Sequence, residues 1–136
     1  MPSRIQHVAL AVADIDESIS FYREVWGLEP SHREKVEADH IEEAMFPLGD
    51  SHIQLISPTS DASTVARFLD RRGEGLHHIA YEVDDLEGTL RRLKSSGVTL
   101  IDEHPRRGGG GHMVAFVHPK GNHGVLVELM QRPQQG

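Results

Sequence analysis

The 136-residue chain has the length of one ordinary domain, a formal net charge of −7 at pH 7, 38% hydrophobic residues and no cysteine. The negative charge argues against a nucleic-acid-binding surface, and the lack of cysteine excludes disulfides and thiolate metal ligands. No apolar run approaches the roughly 18 residues of a membrane-spanning helix, and the first residues carry no apolar signal region. We therefore expect a cytoplasmic protein that binds neither nucleic acid nor membranes.

The first half of the chain reads as a strand, a helix and three further strands. Residues 5–13 form the first predicted strand, and Asp14 and Glu17 have the spacing of a capping box that opens a helix. Gly27 ends that helix. Alternating patterns predict the next three strands over residues 28–35, 41–48 and 52–57.

A segment without a counterpart elsewhere in the chain follows this half. Turn-forming residues 58–61 lead into a short predicted helix over residues 63–72, which Gly73 closes. We interpret residues 59–74, approximately, as the connection between two modules.

The sequence of the second half predicts the same order of elements as the first half. A strand within residues 75–83 leads to a helix that begins at Leu86, with Asp84 or Asp85 as its cap, and ends before Gly97. Three more strands are predicted over residues 98–102, 113–118 and 124–130, with a glycine-rich loop at residues 105–111 and a polar, frayed tail from residue 132.

The two halves also repeat each other residue by residue. Placing His7 over His78 aligns Val8 with Ile79, Ala9 with Ala80, Val12 with Val83 and Asp14 with Asp85. Such a repeat indicates two copies of one unit. We predict an α+β fold in which two tandem βαβββ modules, at about residues 4–58 and 75–131 of a single domain 1–136, form a curved mixed sheet with a metal-binding cleft.

Four polar side chains occupy matching places on the predicted strands, opposite the bulky residues: His7, Gln54, His78 and Glu128. Alanine follows each histidine on the same face, which suggests empty space beside a polar anchor. Two imidazoles, an amide oxygen and a carboxylate suit a divalent ion such as Co²⁺, Mn²⁺, Ni²⁺ or Zn²⁺. A lone histidine in a strand is more often an ordinary core residue with its hydrogen bonds made. Matched polar positions in both modules are hard to obtain by chance, so the pattern leaves a metal site and a structural role equally open.

Several segments carry a family resemblance. They include residues 7–9 with Asp14, residues 73–83, residues 118–120 and residues 124–129. Over roughly residues 5–131 the chain resembles the vicinal oxygen chelate superfamily, metalloenzymes that include glyoxalase I and the extradiol dioxygenases. Within it, the segments 73–80 and 124–128 are most similar to the methylmalonyl-CoA epimerase family.

The resemblance implies that the four matched residues bind a divalent metal, with Co²⁺ favoured. It also implies a second carboxylate base that best matches Glu43, whose neighbour Glu42 would face the other side of the strand. The implied activity is epimerisation of (2R)- and (2S)-methylmalonyl-CoA through an enolate, in propionyl-CoA metabolism, with Glu43 and Glu128 as the two bases. The implied substrate is a coenzyme A thioester, and the implied assembly is a homodimer.

Two other functions stay open at this point. One is a glyoxalase I-like lactoylglutathione lyase or another metal-dependent isomerase on the same scaffold, and the other is a metal-free ligand-binding protein. Gln54 disfavours an extradiol dioxygenase, which needs two histidines and one carboxylate at iron. Arg106, Arg107 and Lys120 are candidates for coenzyme A phosphate contacts, although a solvated loop is the simpler interpretation.

Overall fold

The computed structural model describes residues 1–133, which contain eight β-strands and three α-helices. The strands are β1 (Pro2–Ala11), β2 (His32–Val36), β3 (Ile41–Leu48), β4 (Ser51–Pro58), β5 (Gly75–Val83), β6 (Arg106–Arg107), β7 (Met113–Val117) and β8 (Val127–Gln131). The helices are α1 (Ile15–Trp26), α2 (Thr64–Arg72) and α3 (Leu86–Ser95). None of these helices has the length and apolar character needed to cross a membrane. The last three residues of the predicted frayed tail lie outside the described part.

The chain divides into two compact units, His7–His77 and Met1–Gln6 with His78–Gly136. In the first unit the strands pair in the order β2-β3-β4-β1, with β1 and β4 parallel and the other pairs antiparallel. In the second unit the order is β6-β7-β8-β5, and only β5 and β8 are parallel within it. Both units thus have the same strand order and the same parallel and antiparallel pairings. This confirms the predicted tandem βαβββ modules.

Equivalent caps begin the long helix of each unit. The Asp14 carboxylate accepts a hydrogen bond at 3.1 Å from the amide three residues ahead of it in α1, and Asp85 does the same at 3.0 Å in α3. The hydroxyls of Ser18 and Thr89 donate to the carbonyl oxygens of these two caps, at 2.8 and 2.7 Å. The α1 helix ends at Gly27, which adopts a left-handed conformation with φ of 68°.

The sheet of the His7–His77 unit is covered by a helix on each face. One face packs against α1 through residues that include Ile15, Ile19, Phe46 and Leu55. On the opposite face, Ala9 and Ala11 are fully buried and pack with Ile56 and with Val65 of α2. The prediction of empty space beside these alanines is therefore wrong, because their small side chains make room for α2.

The core of the other unit lies between α3 and β5, β7 and β8, and includes Val83, Leu86, Leu90, Ala115, Val117, Val127 and Leu129. Ala80 packs with Val114 and Met130, so the space beside this alanine is filled as well. The predicted strand over residues 124–130 begins only at Val127, and Val125 is 37% exposed.

The predicted strand over residues 98–102 does not form. Only Leu100 makes a β-bridge there, to Val117. The carboxylate of Asp102 accepts the amide hydrogen of Phe116 at 2.8 Å and so occupies a donor that a strand ladder would use. The short strand β6 forms instead inside the predicted glycine-rich loop and pairs with β7.

Candidate active site

Strand register places His7 and Gln54 on one face of the His7–His77 unit. Ala9 lies opposite Gln54 in the parallel pair of β1 and β4. Since side chains alternate along a strand, His7 shares the face of Ala9, away from α1. Both polar side chains are buried, with 1% exposure for His7 and 6% for Gln54.

Gln54 also contacts a carboxylate of the neighbouring strand. Its Nε2 donates a short hydrogen bond to Glu43 Oε2 on β3, and both side chains are buried. Gln54 Oε1 is buried without a hydrogen-bond partner. A buried amide oxygen without a partner is costly in a folded protein, and such an atom is available to coordinate a cation.

The adjacent Glu42 has a different environment. Its carboxylate accepts a hydrogen bond from Arg33 Nε at 2.6 Å, and the same guanidinium forms an ion pair with Asp16 of α1 at 2.7 Å. These two hydrogen bonds raise the pKa of the Arg33 guanidinium. Glu42 therefore lies on the α1 side of the sheet, while Glu43 lies beside Gln54.

Two residues of β2 extend the surroundings of Glu43. His32 Nε2 lies 3.9 Å from Glu43 Oε1 and 2.9 Å from Glu34 Oε1. The ligand-type atoms of these three residues all lie within 4.8 Å of one another. Sequence reasoning missed His32 and Glu34, although their alternation along a predicted strand was visible.

The other unit carries a matching pair. Glu128 lies opposite Ala80, as Gln54 lies opposite Ala9, and His78 shares the face of Ala80. His78 Nε2 lies 3.4 Å from Glu128 Oε1, and both side chains are largely buried. The predicted equivalence of the two polar pairs thus holds within each unit.

Phe116 lies beside this second pair. Its ring meets the His78 imidazole edge-to-face, with 5.5 Å between ring centroids. The Arg106 guanidinium lies 5.4 Å from the Phe116 ring centroid and 3.4 Å from the Asp102 carboxylate. Arg106 is therefore engaged within its own unit, whereas Arg107 and Lys120 are exposed.

In the second unit an apolar residue occupies the position equivalent to Glu43. The register pairs Glu43 with Ile56 in β3 and β4, and pairs Val114 with Met130 in β7 and β8. Val114 is therefore the equivalent residue, and it is 2% exposed in an apolar cluster. The two modules share the fold but differ in the acid–base groups that they carry.

Each unit contains donors of a kind that binds divalent metal ions. Gln54 offers a buried oxygen without a partner, and the nitrogen of His78 and the oxygen of Glu128 lie close enough to serve one ion. Nitrogen and oxygen donors of this mixture suit borderline divalent metals. The residues present are thus compatible with the metal that the family resemblance implies.

A cavity of about 560 Å³ lies apart from these residues, at the start of α1. Carboxylates of Asp14, Glu17 and Glu74 line it together with Phe21 and Tyr22. Burial raises the pKa of the Tyr22 hydroxyl. Three carboxylates would repel an anionic ligand, so this cavity is a poor candidate for coenzyme A.

Comparisons with known proteins show which family the chain resembles. The chain is 40% identical over 129 residues to the uncharacterized protein YqjC of Bacillus subtilis, covering 95% of this chain and 92% of that protein. It is 37% identical over 134 residues to the ethylmalonyl-CoA/methylmalonyl-CoA epimerase of Cereibacter sphaeroides, covering 96% and 99% of the two chains.

One solved structure is similar to this chain in both fold and sequence. The crystal structure of methylmalonyl-CoA epimerase from Mycobacterium tuberculosis matches with a TM-score of 0.92 and 38% identity, over 98% of this chain and 90% of that one. Residues 6–116 match the model of the Glyoxalase/Bleomycin resistance protein/Dioxygenase superfamily. The chain belongs to this superfamily.

Proposed function

We propose that the protein is an isomerase that interconverts (2R)- and (2S)-methylmalonyl-CoA, a step of propionyl-CoA metabolism, in a metal-dependent reaction. One observation carries the proposal: each unit places a carboxylate of low solvent exposure beside a candidate metal ligand. Glu43 contacts Gln54 in one unit, and Glu128 lies beside His78 in the other. The similarity to methylmalonyl-CoA epimerases over nearly the whole chain supports this function.

In this proposal His7, Gln54, His78 and Glu128 hold one divalent ion, with Co²⁺ favoured and Mn²⁺, Ni²⁺ or Zn²⁺ as substitutes. The equivalent strand positions of the two pairs and the partnerless oxygen of Gln54 support this ligand set. A bound divalent ion would act as a Lewis acid on the oxygen where negative charge develops.

The reaction requires two acid–base groups. The C2 proton lies between a thioester and a carboxylate, and its removal gives a planar enolate. Inversion needs a proton removed on one face and delivered on the other. Glu43 and Glu128 are the proposed pair, and each changes between base and acid with the direction of the reaction.

The surroundings of Glu43 suit such a role. The Glu43 side chain is 4% exposed, so few water molecules can form hydrogen bonds with its carboxylate. The hydrogen bond from Gln54 Nε2 to Glu43 Oε2 fixes the orientation of the carboxylate. A base held in one orientation by a second residue is a frequent arrangement in enzymes.

The remaining expectations belong to the same proposal. We propose that residues 1–136 act as a single domain, that the substrate is a coenzyme A thioester, and that the protein works as a cytoplasmic homodimer. A related structure described as methylmalonyl-CoA epimerase in complex with methylmalonyl-CoA and NH4+ shares 37% identity with this chain and supports the choice of thioester.

The test is proton NMR of (2R)-methylmalonyl-CoA in deuterated water, with metal-loaded protein and with protein stripped by a chelator. We expect catalytic, metal-dependent loss of the C2 proton signal, together with inversion in a stereospecific mutase assay. Absence of exchange at stoichiometric bound metal would reject this substrate. Turnover of a glutathione hemithioacetal instead would favour the lactoylglutathione lyase, and neither metal nor turnover would favour a binding protein.

A further inference from the structure

Arg106 lies on the same face of the sheet as the proposed metal ligands of the second unit. The register pairs Phe116 with Glu128 between β7 and β8. It pairs Arg106 with Val114, two residues before Phe116, between β6 and β7. Because paired residues on adjacent strands share a face, and every second residue of a strand does as well, Arg106 shares the face of Glu128. Arg107 follows directly in the chain and therefore lies on the opposite face.

The Arg106 guanidinium lies against the ring of Phe116, beside the proposed metal pair. It is 5.4 Å from the Phe116 ring centroid, and that centroid is 5.5 Å from the centroid of the His78 imidazole. His78 Nε2 in turn lies 3.4 Å from Glu128 Oε1. A single aromatic ring therefore separates a positive charge from the proposed metal pair.

Asp102 holds the Arg106 side chain in this position. Arg106 Nε donates to Asp102 Oδ2 at 3.4 Å, and the same oxygen accepts the amide hydrogen of Phe116 at 2.8 Å. An arginine carries five N–H donors in a planar fork and can bind two carboxylates at once. The Arg106 side chain is 37% exposed, so a ligand can reach it from the solvent.

The substrate of the proposed reaction carries a group that needs such a partner. This step rests on the proposed function. The thioester carbonyl is the group that a divalent ion at His78 and Glu128 would polarise. The free carboxylate is attached to the same carbon atom as the thioester, so it must lie close to the negative charge of Glu128. A cation on this face of the sheet would offset the repulsion between the two carboxylates.

We propose that Arg106 binds the free carboxylate of the substrate and makes the enzyme prefer CoA thioesters that carry a second carboxylate. The planar fork of arginine matches a carboxylate with two parallel hydrogen bonds. The phosphates of coenzyme A are also anionic, but they lie at the far end of the pantetheine arm, whereas Arg106 lies one ring away from His78. The carboxylate keeps its charge throughout the reaction, so this contact contributes to substrate binding rather than to the chemical step.

Calorimetric titration of the metal-loaded protein with malonyl-CoA and with propionyl-CoA tests this assignment. The two ligands differ in having a carboxylate or a methyl group at the same place. The wild type should bind malonyl-CoA more tightly than propionyl-CoA. Arg106→Gln should weaken malonyl-CoA binding by about 10–100-fold, the range expected for hydrogen bonds to a charged group. The affinity of this variant for propionyl-CoA should equal that of the wild type, which also shows that the variant is folded.

The matched control is Arg107→Gln, which removes the same charge from the next residue, on the opposite face. This variant should bind both ligands as the wild type does. Arg106→Lys keeps the charge but loses the planar fork, so its affinity for malonyl-CoA should lie between those of the wild type and Arg106→Gln. In epimerisation assays, Arg106→Gln should raise KM for methylmalonyl-CoA and change kcat by less than about threefold, because the lost contact is a binding contact.

Three results would overturn the assignment. One is an equal weakening of both ligands in Arg106→Gln, which would leave Arg106 a packing role. Another is an unchanged affinity of this variant for malonyl-CoA, or a wild type without preference for that ligand. The third is an equal effect of Arg107→Gln, which would indicate attraction of the phosphates by the net charge of the loop. A wild type that bound neither ligand would reject the proposed function, and this assignment with it.

Discussion

Gln54 donates a hydrogen bond from Nε2 to the carboxylate of Glu43, and its Oε1 is buried without a partner. The hydrogen bond fixes which end of the amide is the oxygen when Glu43 is ionised, because an ionised carboxylate can only accept. One contact thus orients a candidate metal ligand and a candidate base together. The proposed metal chemistry and acid–base chemistry are coupled through this pair.

The Gln54→Ala variant should bind metal more weakly, because it removes a buried oxygen that is available for coordination. We expect the dissociation constant for Co²⁺ to rise at least about tenfold, which corresponds to about 1.4 kcal/mol. Calorimetric titration measures it, and the stabilisation of the protein against heat on addition of metal should shrink in parallel. His104→Ala should bind metal as the wild type does, and an unaltered affinity in Gln54→Ala would remove Gln54 from the ligand set.

Replacement of Glu43 and of Glu42 should give opposite outcomes. Glu43→Gln should lower kcat by roughly 10²–10⁴-fold, because it removes a group acting on the substrate proton. Glu42→Gln should keep its turnover and lose up to about 1 kcal/mol of stability, since it weakens the ion pair with Arg33. Epimerisation rates and urea denaturation measure the two effects. An inactive Glu42→Gln with an active Glu43→Gln would reverse the assignment.

The two helix caps should contribute equally to stability. Asp14→Ala and Asp85→Ala should each lower the free energy of unfolding by about 1 kcal/mol, because each removes the side-chain acceptor of a first-turn amide. Asp61→Ala, in an exposed turn, should change it by less than about 0.5 kcal/mol. Urea denaturation measures all three. A large loss at only one cap would mean that the modules do not share this feature.

Arg106 and Arg107 should also differ in their effect on stability. Arg106→Ala removes the contact with the Phe116 ring and the ion pair with Asp102, and should cost about 1 kcal/mol. Arg107→Ala changes an exposed side chain and should leave the free energy of unfolding close to that of the wild type. The midpoints of urea denaturation of the two variants measure this difference in stability. If Arg107→Ala were the more destabilising of the two, the proposed packing role of Arg106 would be wrong.

The sequence was sufficient to predict the features that depend on local pattern. Alternation places His7 with Ala9 and His78 with Ala80, and the repeat of Asp14 at Asp85 marks both helix starts. These features repeat at one fixed spacing along the chain, which makes them visible without a structure.

Features that depend on pairing between distant residues were not predictable in the same way. The hydrogen bond between Asp102 and the Phe116 amide, which replaces a predicted strand, joins residues 14 positions apart. The position of His32 near Glu43 depends on the register of β2 against β3. The packing of α2 over Ala9 depends on the helix of the connecting segment, which is not part of the repeated unit.

The most direct test of the central claim follows exchange and inversion together in the Glu43→Gln variant. Metal-loaded variant is mixed separately with (2R)- and (2S)-methylmalonyl-CoA in deuterated water, and NMR and a stereospecific assay report on the same samples. If Glu43 and Glu128 serve opposite faces, one epimer should still exchange its C2 proton while inversion is lost for both. Exchange and inversion that persist together at the wild-type rate would contradict the two-base account.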